Sequence, residues 1–176
     1  RIKHEAKSMK LKLITLVIPA VLALSACTNP NRFDNGAGGA GTFSSVTPGS
    51  AQDPQSPLYF QETIGDRVLF DVDQSSLNDE ARRVLDGQAS WLTTNADYAV
   101  VIEGHADEQG TREYNLALGA RRANAVKEYL LAKGMPSSRL KTVSYGKERP
   151  LEICSQEACY AKNRRAVTIL SSGLSS

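Results

Sequence analysis

EGHADEQGTREYNLALGARRANAVKEYL, residues 103–130, decides how the rest of the chain is read. Its first part, Gly104–Gly110, follows the apolar run Tyr98–Ile102 and carries two glycines and two acids, the composition of a loop leaving a strand. Its second part has the spacing of a helix. Leu116, Gly119, Ala123, Val126 and Leu130 recur at intervals of three and four, which predicts a face packed on a core.

Polar residues accompany that face. Asn115 and Arg122 are seven apart and so point within about 20° of each other, bordering the stripe. A guanidinium there needs a partner, because an unpaired charge in low dielectric costs several kcal/mol. Asp107 is the nearest unassigned carboxylate able to turn back toward it. Two readings follow: an Asp107–Arg122 staple between loop and helix, or a pair that shares a charged ligand.

The segments GHADEQGTREYN and LGARRANAVKEYL resemble the signature of the OmpA-like peptidoglycan-binding domain, and within that group the lipoproteins of Tol–Pal systems. The likeness extends over VLFDVD (residues 68–73), VSYGKERP (143–150) and AKNRRAV (161–167), in the family's order, across most of the chain after Pro57. The resemblance implies non-enzymatic binding of the diaminopimelate residue of the peptidoglycan stem peptide by Asp107 and Arg122. It implies that Phe70 and Asp71 wall the peptide groove and that Arg164 or Arg165 has a secondary role beside it. It also implies a second partner, a TolB-like periplasmic protein, on a surface overlapping the groove.

Working outward toward the start, residues 1–8 precede Met9 and are set aside as upstream translation or a mis-assigned start. Residues 9–26 have the form of a lipoprotein signal peptide. Lys10 and Lys12 are followed by an apolar run, Leu13–Leu24, whose 12 residues suit a signal sequence and fall short of the ~20 that span a bilayer. The run ends Leu24-Ser25-Ala26-Cys27, which resembles a lipobox with Cys27 as the lipidated residue. An ordinary signal peptide before a chance cysteine is the competing reading. Multiple acyl chains on Cys27 would anchor stably where one binds marginally. Thr28, rather than an aspartate, follows the cysteine; by the family's pattern this favours the outer membrane. Residues 27–57 then form an expected disordered linker, rich in Gly, Ser, Ala, Asn and Pro, with an r.m.s. reach of roughly 30 Å.

Residues 58–171 are the expected globular domain and 172–176 a tail. Strands are expected at Asp66–Phe70, Ala99–Ile102, Leu140–Tyr145 and Ala166–Leu170. A helix is expected over the stripe Leu77, Ala81, Val84, Leu85, Gln88, Trp91 and Leu92, capped by Asn78, and a short one at Glu157–Lys162. Gly134 and Pro136 stop the long helix. The alternation predicts an α/β sandwich, with helices on one face of a mixed four-stranded sheet, as does the resemblance.

A net charge of +2 gives no case for a nucleic-acid partner. Cys154 and Cys159, five apart in an exported chain, are expected to form a disulfide worth about 2 kcal/mol, with free thiols as the alternative. No spacing fits a zinc site, and no cofactor motif is present. The enzymatic alternative is a cell-wall hydrolase or metal-dependent enzyme using Asp71, Asp73, Asp107 and His105. Turn chemistry at a strand end accounts for the first two equally well.

Overall fold

The computed structural model describes residues 46–172. The expected signal peptide, Cys27, most of the expected linker and the last four residues lie outside the described residues.

The stripe around Gln88 becomes helix α2, Asp79–Thr94, after a helical opening, α1 (Pro57–Tyr59), that widens into a π-type segment, Phe60–Gly65. Asn78 caps α2 by accepting from Ala81 N at 2.8 Å, and Asp79 and Glu80 place negative charge at the positive end of the helix. Between these helices lies β1, Arg67–Leu69. Strand β2, Tyr98–His105, leads into α3, Arg112–Ala132, whose first turn Thr111 caps through Tyr114 N at 3.2 Å. The chain leaves α3 through Gly134, which adopts φ +92°. A short 3₁₀ turn, Ser137–Arg139, precedes β3 (Leu140–Gly146); α4 (Glu157–Asn163) and β4 (Arg165–Ser172) complete the fold.

The sheet runs β1-β4-β2-β3, with β4 antiparallel to both neighbours and β2 parallel to β3. Val68, Val100, Ile102, Leu140 and Ala166 share the face that meets α2 and α3, and all are buried. On the same face Thr168 donates to Gln88 Oε1, while Gln88 Nε2 donates to Gly65 O, each at 2.8 Å. This buried polar bridge ties α2 to β4 with both ends of the amide satisfied.

Helix α3 lies unusually close to β2. A Cβ added to Gly104 would sit 1.8 Å from Gly119 O, so neither backbone has room for a side chain at the crossing. That contact fixes how α3 sits over the end of β2, and with it the direction of Asn115 and Arg122.

Three expectations change. The packed body begins before Leu58: Ser56 is buried, and Trp91 Nε1 donates to Pro54 O at 2.7 Å, because the indole N–H is buried and needs an acceptor. The linker's last residues are therefore part of the domain. Leu116 is exposed and Leu118 buried. Both border the apolar stripe, but Leu116 overhangs the edge strand β3, where no further strand among the described residues covers it, and Leu118 points inward. Asn115 and Arg122 are 1% and 0% exposed, in the middle of the stripe rather than at its border.

A candidate ligand-binding groove

Where β2 ends and α3 begins, the loop after β1 and the loop 106–111 enclose a groove of about 320 Å³. Its lining includes Val72, Asp73, Asp107, Gln109, Tyr114 and Asn115. Asn115 donates from Nδ2 to Gln109 O at 2.7 Å and so folds the loop onto the helix; Asp107 Oδ1 accepts from Gln109 N at 3.1 Å. Asp73, in the left-handed conformation at φ 56°, accepts from the Tyr114 hydroxyl across the groove. Aspartate is one of the few residues that tolerates that backbone, and its position brings a second carboxylate to the wall.

Asp107 does not pair with Arg122. Its Oδ2 receives Arg164 Nη1 at 3.2 Å, with both side chains nearly buried. Arg164 also donates to Phe70 O at 3.1 Å and to Glu157 Oε1. Burial alone depresses the Arg164 pKa, but the bonds to Glu157 and Asp107 outweigh it and hold it above the ordinary value.

Arg122 lies just behind the groove. Its Nε donates to Gln74 O at 2.8 Å, Nη1 to His105 O at 2.8 Å and Nη2 to Asp71 O at 3.1 Å. The guanidinium stands 5.2 Å from the centre of the Phe70 ring. One side chain thus joins α3 to the end of β2 and to both ends of the loop 71–74. The staple is made to backbone carbonyls because three of them converge there; His105 O is buried, and Asp71 O also accepts from Gln74 N at 3.1 Å. Burial lowers the Arg122 pKa to about 10, against the opposing pull of Asp107, so it remains charged at neutral pH. Three of its five N–H groups are used, one each from Nη1 and Nη2 remaining.

The other expected site residues are placed differently. Phe70 is in the core, beneath Arg122, and does not wall the groove, because its strand position faces the helices. Asp71 contributes its carbonyl. Arg165 lies away from the groove, donating to Asn163 O at 3.3 Å and Arg149 O at 3.2 Å. Tyr114 and Gln109 belong to the lining and are not obvious from the sequence. Tyr114 immediately precedes Asn115 at the capped end of α3, the one available signal.

Of the residues of the hydrolase alternative, Asp73 and Asp107 both line the groove, whereas Asp71 contributes its carbonyl to Arg122 and His105 faces elsewhere. The His105 ring alternates with Gly104 and so lies on the side of the sheet away from α3, packed on Tyr145 with ring centres 5.6 Å apart. Glu103 Oε2 is 3.4 Å from its Nε2 without hydrogen-bond geometry, and both ring nitrogens are buried without a hydrogen-bond partner among the described residues. Burial, with Arg165 and Arg149 nearby, lowers its pKa to about 4. Among the described residues no three His, Cys, Asp or Glu side chains gather where they could hold a metal ion. Cys154 and Cys159 are joined in a disulfide, Cα atoms 6.1 Å apart, at the loop entering α4.

Residues 69–164 match the model of the OmpA family. The peptidoglycan-associated lipoprotein of Mesorhizobium japonicum is 52% identical over 162 residues, 90% of this chain and 91% of that protein. The chain belongs to the OmpA family, among the peptidoglycan-associated lipoproteins. Within this family, the crystal structure of the lipoprotein from Burkholderia pseudomallei is 38% identical with a TM-score of 0.61, covering 69% of this chain and 98% of that one. The C-terminal domain of Helicobacter pylori MotB, 20% identical with a TM-score of 0.57 over 62% of this chain and 86% of that one, shares the fold.

Proposed function

We propose that this lipoprotein binds peptidoglycan non-covalently through the groove, receiving the diaminopimelate end of a stem peptide. We further propose that lipid on Cys27 holds it in the outer membrane, facing the periplasm. The protein then links membrane to wall as a tether and not as an enzyme, within a Tol–Pal system that keeps the envelope intact and draws the outer membrane inward at division. The observation that carries the reading is the pairing of an acidic groove wall, Asp107, with a buried arginine immediately behind it, Arg122, in a chain whose family is named for association with peptidoglycan.

The chemistry is that of a zwitterionic end group. Diaminopimelate carries an ammonium beside a carboxylate on its side chain. Asp107, already oriented by Gln109 N and Arg164, takes the ammonium. The two remaining N–H groups of Arg122 are the donors for the carboxylate, on a planar fork suited to two parallel bonds. Seating it requires a small opening between Asp71 and Asp107. The exposed Val72 and Tyr114 of the groove lining give a TolB-like partner apolar surface at the same site.

Incubation with purified sacculi tests the reading. Co-sedimentation with no released muropeptide is the expected result; soluble muropeptides would favour a hydrolase, and failure to sediment would remove the wall as ligand.

A further inference from the structure

We infer that Glu157 is a positioning residue for ligand binding: acting through Arg164, it keeps the Asp107 carboxylate available to an ammonium, and the Cys154–Cys159 bridge holds it in place. This rests on the reading of Asp107 as the ammonium acceptor.

Charge balance in the groove wall leads to it. Asp107 and Arg164 alone are a buried, mutually neutralised pair, and such a carboxylate has little field left for a cationic ligand. Arg164 is shared, however. Its Nη2 pairs with Glu157, whose side chain is largely exposed, while Nη1 serves Asp107. Glu157 thereby offsets Arg164; with Arg122 behind the groove, the carboxylates of Asp107, Glu157 and Asp73 outnumber the two guanidiniums, and Asp107 and Asp73 line the groove. Glu157 thus acts on a ligand it does not touch.

The fold holds Glu157 by covalent means. It begins α4, a helix of seven residues whose N-cap, Gln156, makes no side-chain bond. So short a helix does not persist by its own backbone bonds. Its far end is clasped by the fully buried Asn163, whose Oδ1 accepts from Leu151 N at 2.7 Å and Glu152 N at 3.1 Å. Its near end has the disulfide, which closes the ring from residue 154 to 159 around Glu157.

The test compares two ligands on the purified protein by calorimetric titration: a diaminopimelate stem peptide and the same peptide acetylated at the side-chain amine. The parent prefers the free amine. In Glu157→Gln that preference shrinks by about two- to fivefold, the range for an exposed charge acting on its neighbour, while the acetylated peptide binds as to the parent. The double variant Cys154→Ser with Cys159→Ser shows the same narrowed preference, and adding Glu157→Gln to it changes nothing further. An unchanged preference in Glu157→Gln, or equal losses for both peptides, overturns the inference while leaving the groove as a site. Failure of the parent to bind either peptide overturns the functional reading and this inference with it.

Discussion

Replacing Arg122 with alanine should cost the fold more than any other single change at the groove. The guanidinium is fully buried and donates to three backbone carbonyls, Asp71 O, Gln74 O and His105 O. Asp71 O keeps its bond from Gln74 N, so the loss falls on Gln74 O and His105 O, each at about 1–3 kcal/mol and at the lower end where water can enter. The groove next to the site admits some water, which puts the sum at roughly 2–4 kcal/mol. For a domain of this size that lowers the melting temperature by about 10–20 °C, out of a total stability of only about 5–15 kcal/mol. Arg122→Lys should recover only part, since a compact ammonium cannot reach three carbonyls set for a planar fork. Urea unfolding followed by Trp91 fluorescence measures both variants. A loss below about 1 kcal/mol in Arg122→Ala would mean that the loop 71–74 is held by something else, and the reasoning would fail.

Other outcomes follow from other parts of the molecule. His105, with its folded pKa lowered to about 4 from an ordinary 6.5, binds fewer protons folded than unfolded between those values. Stability is therefore full above about pH 6.5 and falls as pH drops toward 4, by up to roughly 3 kcal/mol; thermal melts of His105→Phe should lose that part of the slope, and an unaltered slope would assign it elsewhere. Gly104→Ala should destabilise by about 1–3 kcal/mol or more, since its Cβ would strike Gly119 O at 1.8 Å; a melt within a degree of the parent would contradict the close crossing. Cys27→Ala should abolish partition into detergent and metabolic labelling with a palmitate analogue; undiminished labelling would rule out lipid at that residue.

Much of the fold was legible because local chemistry and global packing agree. Asn78 caps the helix that follows it, Gly134 ends α3, and the run after Ala99 is a buried central strand. The helical opening at Pro57–Gly65 was not legible, since Pro57 and Gly65 read as punctuation and Phe60 alone carries its burial. Periodicity placed Asn115 and Arg122 on one face but could not say what they meet. Spacing within a helix fixes a direction, whereas the acceptors of Arg122 come from residues 17 to 51 positions away. For the same reason spacing points Asp107 to the arginine nearer in sequence, whereas its partner is Arg164, 57 residues on, at the junction of α4 and β4. The resemblance implies that Phe70 walls the groove, but Phe70 lies two residues beyond the inward Val68 and is turned to the core with it.

The central claim is that Asp107 takes the ammonium of a diaminopimelate end group. It is tested most directly by calorimetric titration of Asp107→Asn and the parent with the same stem peptide, after melts show the variant folded. A charge-assisted hydrogen bond worth about 1.5–3 kcal/mol predicts a loss of roughly ten- to a hundredfold in affinity. Equal affinity in a folded Asp107→Asn would contradict the account.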